Sequence, residues 1–86
     1  MYALEFLSSA KKELKKLDTA AQRRIKEKLL LLAENPDILR NNIKPLKGEH
    51  KGKFRLSVHQ YRVIFQVKEK VLIITIIRIG HRKEVY

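Results

Sequence analysis

Phe54-Arg55-Leu56-Ser57-Val58-His59-Gln60-Tyr61-Arg62-Val63-Ile64-Phe65-Gln66-Val67 is the stretch that decides the fold. Phe54, Leu56 and Val58 alternate with polar residues, and Tyr61, Val63, Phe65 and Val67 do the same after His59-Gln60. Period-two alternation on both sides of a two-residue break predicts a β-hairpin, with strands at about 53–58 and 61–67. If His59-Gln60 is the loop, Val58 faces Tyr61 and Ser57 faces Arg62. The apolar residues of both strands then share one face, as side-chain alternation requires. By the same count Lys53, Arg55 and Arg62 share the other face. Arg55 lies diagonally from Arg62, about 7–8 Å between backbones and within reach of long side chains.

A third strand is expected over 71–79. Val71 to Ile79 is apolar on both faces, apart from Thr75 and Arg78, which reads as a central strand. Gly80 is expected to end it and let the chain turn back over the sheet. Upstream, Tyr2, Leu4 and Phe6 alternate over a short first strand. Ser8 or Ser9 can cap a helix carrying Ala10, Leu14 and Leu17. Thr19-Ala20-Ala21-Gln22 fits a capping box opening a second helix that buries Ala21, Ile25, Leu29 and Leu32. This helix stops before Asn35-Pro36, because proline disfavours helical geometry in the preceding residue. So short a connection predicts an antiparallel helix hairpin. Residues 35–52, with Pro36, Pro45, Gly48 and Gly52, read as a long loop pinned by Ile38, Leu39, Ile43 and Leu46. Loops of that length in small domains are often functional. The expected architecture is α+β. An N-terminal strand and helix hairpin pack on a mainly antiparallel, twisted four-stranded sheet in the order β-α-α-β-β-β, with residues 1–86 as one domain.

The chain carries 20 Lys+Arg against 9 Asp+Glu, a formal net charge of +11. Residues 1–43 hold 9 basic and 6 acidic groups, whereas residues 44–86 hold 11 and 3. The charge therefore concentrates in the half that carries the hairpin. Such a field attracts phosphate backbones and speeds encounter with polyanions. With no Cys there is no thiolate nucleophile and no cysteine metal site. No pair of the three histidines has metal-ligand spacing on a helix, so no metal site is expected. The longest apolar run is too short for a membrane helix, and nothing at the N-terminus looks like a signal peptide. The expected location is the cytoplasm. Cationic side chains and tyrosine are the chemistry on offer.

The order Lys53, Tyr61-Arg62, Gly80-His81-Arg82 and Tyr86, preceded by Pro45-Leu46-Lys47-Gly48, resembles the RelE/ParE superfamily of bacterial and archaeal toxins. It is closest to the RelE branch, the ribosome-dependent mRNA endonucleases. That resemblance implies a microbial-RNase-like fold in which the ribose 2′-hydroxyl of mRNA attacks the adjacent phosphate. It places Lys53 on a catalytic lysine and Arg62 on a phosphate-binding arginine. Arg82 falls on an arginine that stabilises the transition state or protonates the leaving group, and Tyr86 on a tyrosine that stacks on a splayed base. Lys47, Lys51, Arg55, His81 and Lys83 would contact RNA around them. The implied partners are a RelB-like antitoxin, in a toxin–antitoxin hetero-oligomer, and the ribosome with its mRNA. No cofactor and no membrane are implied.

A cationic site suits such chemistry. Arginines stabilise the charge that builds on phosphorane oxygens through preorganised bidentate hydrogen bonds, and a tyrosine holds a base by stacking. Two departures from the best-known members stand out. Arg55 replaces a second lysine, and arginine cannot serve as a general base. The segment from Arg82 to Tyr86 is also shorter, and the sequence stops at the tyrosine. Two other functions remain open: a ParE-like inhibitor of DNA gyrase without nuclease activity, and a non-catalytic RNA- or ribosome-binding module. Fold alone does not separate the three.

Overall fold

The hairpin forms with the expected register, Val58 opposite Tyr61 and Ser57 opposite Arg62. The computed structural model describes residues 1–83. Its elements are β1 (Ala3–Phe6), α1 (Ser8–Lys15), α2 (Thr19–Glu34), β2 (Ile43–Pro45), β3 (Phe54–Val58), β4 (Tyr61–Lys68) and β5 (Ile73–His81). Short 3-10 segments cover Pro36–Asn42 and Gly48–His50. The α+β class stands, and the strands form one sheet in the order β1-β5-β4-β3-β2. β1 runs parallel to β5, and the other pairings are antiparallel.

The sheet has five strands rather than four. The additional one, β2, falls in the stretch read as loop, where Ile43, Lys44 and Pro45 pair with Leu56, Arg55 and Phe54. Three residues show no readable periodicity, and Pro45 reads locally as a breaker. At a sheet edge a proline is tolerated because no neighbour needs its missing N–H. Leu39 is buried here and Ile43 packs against the core, but Ile38 is 61% exposed and pins nothing.

The core lies between the helices and one sheet face. Ala10 and Leu14 of α1 and Ile25, Leu29 and Leu32 of α2 meet Leu56, Val58, Val63, Phe65, Ile74, Ile76 and Ile79. Both helix starts differ from expectation. Leu7, not Ser8 or Ser9, occupies the N-cap of α1 and makes no side-chain cap. Asp18 caps α2, its Oδ1 accepting from Ala21 N–H at 2.7 Å, one residue before the proposed capping box. Gln22 instead donates through Nε2 to the Leu17 carbonyl at 2.8 Å. Carboxylate wins because it also meets the positive end of the helix dipole. Asp18→Ala should cost about 1 kcal/mol, read as a lower urea midpoint at unchanged slope. No loss of stability would mean that the cap is compensated by Gln22.

β5 runs to His81 and includes Gly80, which faces Arg62 within the ladder instead of ending the strand. Between Ile64 and Phe65 the β4–β5 register shifts. Ile64 faces Arg78 while Phe65 faces Ile76, so Ile77 is an extra residue. Such a bulge inverts the alternation downstream of it. Ile74 and Ile76 point into the core before it and Ile79 after it. Without the bulge, Ile79 would stand opposite Arg62 on the outer face.

Candidate functional site

The face turned away from the helices is built by cross-strand rows. Lys44, Arg55, Ile64 and Arg78 form one row across β2, β3, β4 and β5, and Ser57, Arg62 and Gly80 form the next. Residues directly opposed in a ladder share a face. Arg55 and Arg62 are therefore diagonal neighbours on one surface, both half-buried. Ile64 stands opposite Arg55, two residues after Arg62, and is only 6% exposed although it belongs to this outer face. The Nε of Arg55 is buried and has no hydrogen-bond partner among the described residues. A buried, charged donor left unpaired is costly until an acceptor arrives.

Lys53 precedes β3 by one residue and is half-buried. Its N–H donates to the His50 carbonyl at 3.0 Å, and its carbonyl accepts from Leu46 N–H at 2.9 Å. The tight return that allows this passes through Gly48 at φ +67° and Gly52 at φ +92°, where a side chain would strain the backbone. Lys47 and Lys51 flank the same 3-10 turn and are exposed. Ser57, the ladder partner of Arg62, lies four positions after Lys53, so roughly 13 Å of strand lies between those rows. Arg55 is midway.

At the other end of the site Arg82 is exposed, beside a groove lined by Asp18, Ala20, Arg24, His59, Gln60 and Tyr61. Its N–H donates to the Gln60 carbonyl at 2.7 Å. His81 pairs with Tyr61, so it points to the face opposite Arg62 and Gly80. Its Nδ1 accepts from Lys83 N–H at 3.2 Å, and its Nε2 lies 3.3 Å from Gln60 Oε1. With Nδ1 accepting, the neutral ring carries its hydrogen on Nε2 and donates to Gln60. The Tyr61 ring meets it edge-on at 6.0 Å. Tyr86 lies outside the described residues.

None of Lys53, Arg55, Arg62 and Arg82 has an acidic partner among the described residues. Of the other cations on this face, Arg78 pairs with Glu13 at the β5 edge and Lys68 with Glu5 at the far end of the sheet. A perturbed tyrosine lies at the far end of the sheet, where the Tyr2 hydroxyl donates to Glu69 at 2.8 Å and its pKa is raised by that bond. No three His, Asp or Glu side chains come together as a metal site among the described residues. Among them, no helix is long and apolar enough to cross a membrane. The structure thus brings Lys53, Arg55 and Arg62 onto one elongated cationic surface and sets Arg82 at its hairpin end. Sequence reasoning missed Lys44, opposite Arg55, because its strand read as loop. It also missed Gln60, which serves both His81 and Arg82 from a turn position with no local signature.

Residues 4–86 match the family model described as the ParE toxin of the type II toxin–antitoxin system parDE. The chain belongs to the RelE/ParE toxin family. A RelE-like toxin of Escherichia coli is 34% identical over 82 residues, covering 95% of this chain and 84% of the relative. The mRNA interferase toxin RelE of E. coli K12 is 33% identical over 87 residues, covering 99% and 90%. Among solved structures, the archaeal RelE–RelB complex from Pyrococcus horikoshii OT3 superposes with a TM-score of 0.80 at 26% identity, covering 98% of each chain. The intact E. coli RelBE toxin–antitoxin complex gives 0.77 at 28%, covering 94% and 96%.

Proposed function

We propose that this toxin is a ribosome-dependent mRNA endonuclease that cleaves without a metal ion. The observation that carries the reading is the outer-face surface of Lys53, Arg55 and Arg62, unpaired with acids and holding a buried guanidinium nitrogen without an acceptor. Relatives named as mRNA interferases at about a third identity support it. In this reading Lys53 takes the proton of the ribose 2′-hydroxyl, and the freed O2′ bonds to phosphorus. Arg62 and Arg55 hold the non-bridging oxygens as charge builds on them. The bond to the 5′-oxygen then breaks, leaving a 2′,3′-cyclic phosphate. Arg82 stabilises or protonates the leaving oxygen, and Tyr86 stacks on a base beside it. Lys47, Lys51 and Lys83 would contact the flanking RNA, whereas His81, turned to the opposite face and held by Gln60, would not. A site spread along the sheet is poorly equipped to bend free RNA into line, so the ribosome supplies the alignment, in the cytoplasm. A RelB-like antitoxin is the expected partner, since similar toxins were solved as RelE–RelB complexes. Its acidic residues would answer the unpaired cations.

Inducing the protein in growing cells should halt translation and produce cuts within translated codons, detected by primer extension on a translated message. A second reading, inhibition of DNA gyrase, is favoured by the family model's ParE name. Intact message together with double-strand DNA breaks would establish that reading instead. Translation arrest with neither lesion would point to a non-catalytic ribosome binder.

A further inference from the structure

β1 pairs with β5 only from Ile73 to Ile76. Beyond Ile76, β5 continues to His81 with β4 on one side and no strand on the other among the described residues. An exposed strand edge presents backbone donors that need acceptors. At this edge the acceptor is a side chain from another layer of the fold. Glu13 of α1, 24% exposed, accepts through Oε1 from Ile79 N–H at 2.8 Å and through Oε2 from Arg78 Nη2 at 3.0 Å. One carboxylate thereby stands in for the missing strand.

The bonded segment is the one that delivers Gly80, His81 and Arg82 to the site. Its far side is already fastened, because Gln60 receives both the Arg82 N–H and the His81 ring. We propose that Glu13 is a positioning residue. Its carboxylate clamps the free edge of β5 after the Ile77 bulge, so that Gly80 stays opposite Arg62 and Arg82 leaves the strand at a fixed point. Glu13 touches no substrate in this account and acts through the backbone of Ile79. The inference rests on the nuclease reading for its catalytic consequence, but the clamp is a property of the fold. The bulge gives the clamp a reason. A bulged strand has lost a regular ladder partner on one side, and here it has outrun β1 on the other. Among the described residues, the other backbone hydrogen-bond partners of the segment carrying Arg82 are β4 and the Gln60 turn.

Two readouts on the full-length protein separate clamp from nuclease. The first is backbone amide exchange at Ile79 and His81 by NMR. The second is cleavage of message on programmed ribosomes, resolved into kcat and KM. Glu13→Ala should speed Ile79 exchange and lower kcat by about tenfold to a hundredfold, the range for a group displaced by ångströms, with KM unchanged. Glu13→Gln keeps an oxygen for the Ile79 N–H and should restore both readouts close to wild type. Arg78→Ala removes only the ion pair and should leave Ile79 exchange at the wild-type rate. Should Glu13→Ala not fold, Glu13→Asp carries the test. It keeps the charge but shortens the reach, so the clamp predicts lost kcat. Wild-type kcat in the variant that lacks the contact would overturn the proposal, as would a loss that Glu13→Gln fails to restore. If the wild-type protein cleaves nothing, the nuclease reading falls. The clamp is still judged by exchange: equal rates in Glu13→Ala and Glu13→Gln would overturn it.

Discussion

Arg62→Ala should lower cleavage of ribosome-bound message by about 10²–10³-fold, the loss that follows removal of one preorganised transition-state donor. The side chain stands on the outer face between Ser57 and Gly80, with no partner among the described residues that would be stranded by its removal. Gly80 contributes no side chain to the row, so the guanidinium is not wedged between neighbours. Truncation should therefore leave the urea midpoint near wild type. Arg82→Ala should behave alike, since that side chain is exposed at the end of the sheet. Single-turnover cleavage on programmed ribosomes is the measurement. Wild-type rates in the Arg62 variant would remove it from the mechanism, and loss of folding would assign it to the scaffold.

A second large effect is expected in the core. Phe65 is 2% exposed and stacks on Phe54 across the hairpin, with ring centroids 5.6 Å apart and planes 24° from parallel. It also lines an apolar pocket with Tyr2, Leu32, Ile43 and Ile74 that truncation would enlarge. Phe65→Ala should cost about 3–5 kcal/mol, because lost burial and an uncollapsed cavity add together. Against a total stability of about 5–15 kcal/mol, that leaves a marginal protein at best. Urea unfolding followed by circular dichroism measures it. A cost below about 1 kcal/mol would mean that the pocket collapses around the smaller side chain. Because β4 carries Arg62 three residues before Phe65, activity should fall with stability here, unlike in Arg62→Ala.

The two substitutions probe the two faces of one hairpin, and those faces were legible in the chain to different depths. Phe54, Leu56, Val58, Val63 and Phe65 announce the core by alternation alone. The two-residue loop turns that alternation into a register, so the diagonal of Arg55 and Arg62 follows without any knowledge of the helices. His59 adopts φ +52° to close the turn, unusual for a residue that is not glycine. The hydrophobic match of the strands outweighs that local cost. The helices were similarly legible, since Ala21, Ile25, Leu29 and Leu32 recur at helical intervals of four, four and three residues and all are buried. Their first residues were not, because Asp18 and Thr19 both suit a cap and only the docked helix chooses between them.

The sequence by itself determined the alternating hairpin, the buried faces of the helices, the concentration of charge after residue 43 and hence the cationic outer surface. These depend on periods of two and 3.6 residues and on composition, which are local properties. Only the tertiary structure decided three further things. β2 became a strand because β3 offered an edge to a three-residue segment that has no pattern of its own. The bulge at Ile77 set Gly80 opposite Arg62; an unbroken register would have turned Arg78 toward the core, but nothing local in the isoleucine-rich stretch says at which residue the strand bulges. Glu13 found the Ile79 N–H across 66 residues of chain. Its partner is a backbone group left over when β1 ends, and an unsatisfied donor of that kind exists only once the sheet has been assembled.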